Sequence, residues 1–140
     1  IVVATEHTSF IQAFSKIGLI PDSGGTFFLP RIVGIQKATA LMMLGDKVTA
    51  EESLAMGLVY KIFPTAFFMD DVTTLATTLA SMPTKALGLT KRLLNQSMTN
   101  SLEQQLALES DLQIEASSSN DYKEGVAAFI EKRTPKFKGN

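Results

Sequence analysis

Hydrophobic and polar positions change their period near Pro64. Ahead of it, short β-branched and aromatic runs alternate with stretches of helical period punctuated by glycine. "IVVAT" predicts a buried strand over residues 1–5, and "SFI" a short one over 9–11. Residues 12–23 hold neither period and predict an irregular connection. Gly24–Gly25 should open a helix, "GGTFFLPRIVG", whose Pro30 bends it or ends its first turn, since proline has no N–H to donate. "IQKATALMMLG" (35–45) predicts an apolar helix stopped by Gly45. In "TAEESLAMG", Thr49 and Glu52 have the spacing of a capping box, and Gly57 is the matching stop. "LVYKIF" (58–63) predicts a strand ended by Pro64.

Beyond Pro64 the pattern is helical throughout. Helices are expected over residues 69–81, 84–97 with Pro83 at its first position, 100–117, and 122–132. In the third, Leu102, Leu106, Leu108, Leu112 and Ile114 give only an approximate stripe. The last carries Val126, Phe129 and Ile130, and "KRTPKFKGN" reads as a basic end, either simply solvated or set to meet a nucleotide phosphate. The fold class is α/β over residues 1–64, followed by an α-helical layer over 65–140. The chain opens in strand pattern without an initiator Met, and one or two strands alone do not make a stable sheet. It is therefore expected to be the C-terminal portion of something longer.

Composition narrows the function classes. At 140 residues the chain can bury one domain's core, with 45% hydrophobic and 19% charged residues. No apolar run approaches the roughly 20 residues of a membrane span. Thirteen basic against fourteen acidic residues leave no electrostatic footprint for nucleic acid or anionic lipid. The absence of cysteine excludes disulfides and thiolate chemistry, and the single histidine, His7, argues against a His-based metal site. No metal is expected. With nothing resembling a targeting peptide, the expected compartment is the cytoplasm.

The residue that stands out is Asp22, in "IGLIPDSGG". It has two readings. As a helix cap it sits just ahead of a predicted helix, and on the residues alone this carries more weight. As a proton carrier it lies among Phe14, Ile17, Leu19, Ile20, Phe27 and Phe28, where desolvation would lift its pKa. Gly24 and Gly25 would then admit a ligand close to the backbone. His7 reads as surface imidazole, and Ser23 as turn chemistry without a base beside it. Glu51–Glu52 and Asp70–Asp71 suit helix starts.

The order of these segments carries a resemblance. "SFIQAFSKIGLIPDSGGTFFLPRIVG", "LMMLGDKVTAEES", "MGLVYKI" and the closing "DYKEGVAAFIEKRTPKFKG" together resemble the crotonase superfamily of enoyl-CoA hydratases and isomerases. The first stretch is similar to phenylacetate-pathway members that isomerise a ring-epoxide CoA thioester. The resemblance implies a crotonase-like ββα core, an acyl-CoA substrate, and no cofactor beyond its CoA moiety. It also implies a homotrimer or dimer of trimers, built through the C-terminal helices.

Hydratases of the family use two glutamates, one upstream of Ile1 and one at the position of Phe14. Isomerases and dehalogenases carry an aspartate at the position of Asp22. The resemblance therefore implies an isomerase with Asp22 as acid–base group, capping or not, and Phe14, Ile17 and Leu19 as walls of the acyl pocket. Phe129 and Lys132 match the family's aromatic and basic pair at the adenine and phosphate of CoA. Because the oxyanion-hole loops lie upstream in the family, these 140 residues alone are expected to be inactive. The competing readings are a degenerate hydratase, hydrolase or dehalogenase on the same fold, and a helical module that serves only assembly.

Overall fold

The computed structural model describes residues 1–140. Its first unit, Ile1–Val72, is built on two small sheets. Strand β1 (Val3–Thr5) runs parallel to β4 (Lys61–Phe63), with Ala4 opposite Ile62. Strand β2 (Ser9–Ile11) runs antiparallel to β3 (Lys47–Thr49), with Phe10 opposite Val48. Between them lie a 3-10 turn (Ala13–Ile17) and helices α1 (Gly25–Val33) and α2 (Ile35–Leu44). Leu29, Ala38, Leu41 and Val48 form the core where α1 and α2 meet β3, with Phe10, Val33 and Leu58 packed against it. Full burial of a leucine of this kind contributes about 1.5–3 kcal/mol.

The short helix α3 (Ala50–Ala55) starts at the expected capping box. Thr49 Oγ1 accepts the Glu52 N–H at 3.2 Å, and Glu52 Oε2 accepts the Thr49 N–H at 2.8 Å. Gly57 turns left-handed at φ 79°. The N–H groups of Leu58 and Val59 then donate back to the Ser53 carbonyl, at 2.9 and 3.2 Å. That closure consumes the first residues of "LVYKIF", so the strand expected over 58–63 is confined to Lys61–Phe63.

Four other expectations change. The strand over residues 1–5 narrows to Val3–Thr5, and only Ala4 in it is buried; Ile1 and Val2 are exposed. Residues 12–23 are not wholly irregular, since Ala13–Ile17 winds into the 3-10 turn that Gly18 ends at φ 74°. Pro30 does not end the first turn of α1: it lies inside the helix, which runs on to Val33 and stops at Gly34. Strand β3 was not expected at all, because three residues with one buried side chain carry no period.

The second unit, Thr73–Asn140, is helical, and the boundary between the two falls within α4 (Phe68–Ala80). Helix α5 (Thr84–Ser97) has Pro83 at its cap, not at its first position. Helix α6 (Leu102–Ser117) opens on a second capping box, Ser101 with Gln104. Its apolar stripe is incomplete: Leu112 is buried, whereas Leu102, Leu106 and Ile114 are exposed. Gln105 ties α6 to α5 by donating to the Leu93 carbonyl at 3.3 Å. Helix α7 (Asn120–Glu131) begins two residues before the expected 122, because Ser119 Oγ accepts the Tyr122 N–H at 3.0 Å.

The basic side chains of the C-terminal end, Lys132, Arg133, Lys136 and Lys138, are exposed as expected, but its backbone is tied down. Asp121, only 3% exposed, receives the N–H of Lys138 on one carboxylate oxygen at 2.7 Å and that of Gly139 on the other at 2.8 Å. The Asp121 N–H donates in turn to the Asn140 carbonyl at 3.1 Å. Residues 136–140 are thus strapped along α7 through backbone groups, which a count of lysines does not register.

Candidate active-site loop and C-terminal clamp

The loop ahead of α1 is shaped by consecutive left-handed residues. Ser23 stands at φ 50° and Gly24 at φ 76°. Gly24 is the cap of α1: its carbonyl accepts the N–H of both Phe27 and Phe28 at 2.9 Å, and no side chain caps the helix. A Cβ on Gly24 would stand 3.1 Å from the Phe28 ring, so a larger residue would need that ring to shift slightly and would be strained by the positive φ. Asp22 contributes only its backbone carbonyl to this turn, accepting the Gly25 N–H at 2.8 Å. The expected cap role of Asp22 is therefore wrong, and the reason is register: the left-handed pair displaces Asp22 two residues ahead of the cap.

The expected enclosure of Asp22 within this chain is also corrected. Asp22 is exposed. Ile17 and Ile20 are 74% and 83% exposed, and Leu19 and Phe28 also face outward. Apolar neighbours in sequence here form an open apolar surface, not a desolvated pocket. Phe14 is half-buried, and its carbonyl accepts the Leu19 N–H at 2.9 Å. That bond brings the backbone of Leu19 back to Phe14, with Ile17 at the end of the 3-10 turn between them.

A feature beside this loop went unanticipated. Arg31 lies 3.6 Å above the Phe27 ring and donates to the Phe27 carbonyl at 2.8 Å, while Phe27 meets Phe28 edge-on at 5.2 Å. The i,i+4 spacing of an aromatic and an arginine on a predicted helix was the available signal. His7 is exposed at the surface, 3.7 Å from Glu6. No group of three or more His, Asp or Glu side chains is arranged to hold a metal ion.

At the end of α7, Phe129 is 85% exposed and Lys132 projects from the C-cap. Lys132 is left-handed at φ 53°, a conformation uncommon outside glycine, asparagine and aspartate. The next residue anchors it. The Arg133 N–H donates to the Ala128 carbonyl at 3.0 Å, and its guanidinium forks onto both oxygens of Glu124, at 2.6 and 2.9 Å. Arg133 Nε reaches Glu131 at 2.5 Å. Glu124 also receives the Lys136 N–H at 2.8 Å. The guanidinium hydrogen bonds, seconded by that N–H, hold the Glu124 carboxyl at about 2, below its ordinary 4.5. The same unit carries a groove of about 460 Å³ whose walls include Pro83, Tyr122, Val126, Phe129 and Phe137.

The family model described as enoyl-CoA hydratase/isomerase matches residues 1–140. The 1,2-epoxyphenylacetyl-CoA isomerase of Escherichia coli K12 is 45% identical over 139 residues, covering 99% of this chain and 53% of that protein. The trans-2-decenoyl-(acyl-carrier-protein) isomerase of Streptococcus mutans is 39% identical over 137 residues, covering 98% and 52%. The crystal structure of an enoyl-CoA hydratase from Bacillus anthracis superposes with a TM-score of 0.92 at 30% identity, covering 99% of this chain and 54% of that one. The chain spans about half the length of the curated relatives it matches. With its whole length matched and its fold shared by solved members, the chain belongs to the enoyl-CoA hydratase/isomerase family and has the crotonase fold.

Proposed function

We propose that the protein is an acyl-CoA isomerase in which Asp22 carries the proton. The Asp22 carboxylate takes a proton from the carbon alpha or gamma to the thioester, and the electron pair moves onto the carbonyl as an enolate. The Asp22 acid then returns the proton to another carbon, so that the double bond migrates and the carboxylate is regenerated. Phe14, Ile17 and Leu19 line the acyl group, and Phe129 and Lys132 contact the nucleotide end of CoA. The partners on this reading are the acyl-CoA substrate and further copies of the chain, in a trimer or a dimer of trimers.

The observation that carries the reading is the state of Asp22: exposed, released from helix capping by the Ser23–Gly24 turn, and unaccompanied by a carboxylate at Phe14. Hydration of a double bond needs one group to activate water and another to return a proton, and Phe14 can do neither. The similarity to an epoxyphenylacetyl-CoA isomerase supports the same choice and makes a ring-epoxide thioester the first substrate to assay. Asp22→Asn in the active enzyme should lower kcat by about 10²-fold or more and leave binding of the CoA thioester intact. A near-normal rate would overturn the assignment. Trapping of an acyl group on Asp22 would instead favour a hydrolase or dehalogenase using it as a nucleophile.

A further inference from the structure

Two residues other than glycine hold positive φ in this chain, Ser23 in the loop of Asp22 and Lys132 at the end of α7. A non-glycine residue persists there only where its surroundings over-determine the backbone. For Lys132 the surroundings are identifiable. Its own N–H donates to the Phe129 carbonyl, and the Arg133 N–H to Ala128, whose side chain is buried. The Arg133 side chain is then fixed by the two-pronged bond to Glu124, nine residues and about two and a half turns back along α7. A fork of this kind constrains direction as well as distance.

We propose that Glu124 is a positioning residue for the nucleotide end of a CoA thioester, holding Phe129 and Lys132 in one presentation through the Glu124–Arg133 fork. This rests on the reading of Phe129 and Lys132 as CoA contacts. The Arg133 guanidinium is committed largely to this clamp, each of its three nitrogens donating to Glu124 or Glu131. Lys136 strengthens the same clamp through its backbone N–H, on Glu124 Oε1, and its charge favours the Glu124 carboxylate as well. The low carboxyl pKa of Glu124 agrees with a charge committed to this fork.

The sign of the effect separates positioning from bare electrostatics. Glu124 is an acid, so Coulomb repulsion alone predicts that its neutralisation tightens the binding of a polyphosphate. The positioning role predicts weaker binding, confined to ligands that carry the nucleotide. The experiment measures Kd by calorimetry for hexanoyl-CoA and for hexanoyl-pantetheine, which lacks the nucleotide, in the active enzyme. Glu124→Gln should raise the Kd ratio of the CoA to the pantetheine thioester about fivefold, and Arg133→Lys, which keeps the charge but loses the fork, should raise it too. Lys132→Ala is the control for the underlying reading. If Lys132→Ala raises the ratio and the other two variants do not, the positioning role is refuted and the CoA contact survives. An unchanged ratio in Lys132→Ala overturns both. Equal weakening of both thioesters in the Glu124 and Arg133 variants would make the fork merely structural and also overturn the proposal.

Discussion

Asp121→Asn tests whether the C-terminal strap is held by one carboxylate. The wild-type side chain offers an oxygen to each of two backbone donors, Lys138 N–H at 2.7 Å and Gly139 N–H at 2.8 Å, in an environment where the residue is almost wholly enclosed. Asparagine has the same shape but only one oxygen, so one of the two N–H groups must face an NH₂. The loss is one hydrogen bond to a charged acceptor, about 1.5–3 kcal/mol, together with a backbone donor left unsatisfied. A destabilisation of about 2–3 kcal/mol follows. Urea unfolding of wild type and variant gives the free-energy difference, and hydrogen exchange locates it, because amides 138 and 139 should lose protection before those of α5 and α6. Gly139 supplies an internal check: it stands at φ 80°, and a Cβ there would collide with Thr84 Oγ1. Gly139→Ala should therefore break the same strap, and the double variant should cost less than the sum of the singles. Full additivity, or a cost for Asp121→Asn below about 0.5 kcal/mol, would refute the strap as a single cooperative device.

Two further outcomes test the local physics. Thr49→Ala removes the side-chain half of the α3 capping box and should cost about 1 kcal/mol in urea unfolding, while Thr49→Ser should cost little; a silent Thr49→Ala would show that β3 alone fixes that junction. The Glu124 carboxyl is depressed in the folded state to about 2 from 4.5, so its stabilising contribution is present above the ordinary value and is lost as pH falls through the depressed one. The stability difference between wild type and Glu124→Gln should accordingly be constant above about 4.5 and shrink toward about 2. A difference that did not change across that window would show that Glu124 is not ionised against Arg133.

What the sequence made legible shares one property: it was encoded within a few residues. The Thr49–Glu52 box, the Gly45 and Gly57 stops and the helices after Pro64 all rest on i to i+4 relations, and all are present. Ser101–Gln104 carries the same spacing and was readable by the same rule, though it was passed over. Strand β3 was not readable, because Lys47–Thr49 becomes a strand only by pairing across some forty residues of chain with β2. The C-terminal strap failed for another reason. Counting Lys132, Arg133, Lys136 and Lys138 predicts a charged, solvated end, but the groups that hold it are backbone N–H donors and the acceptors Asp121 and Glu124. Those two carboxylates look from sequence like ordinary first-turn and surface residues of α7.

The candidate site divides along the same line. Asp22 and the substitution at Phe14 are matters of identity, and identity is what a sequence states. The setting of Asp22 is a matter of enclosure, and adjacency to Ile17, Leu19 and Ile20 did not supply it, since all three face outward. The cap reading and the base reading were compatible so long as only composition was in view. They are competitors in chemistry: a carboxylate that accepts helix N–H groups has its lone pairs occupied and its charged form stabilised, which makes it a weaker base. The left-handed pair Ser23–Gly24 ends that competition by giving the cap to Gly24 and leaving the Asp22 side chain free of it. If Asp22 carries the proton, as proposed, the backbone strain of Ser23 is the structural cost of separating the two uses, and the loop's small residues keep a carboxylate at a helix entrance without letting the helix claim it.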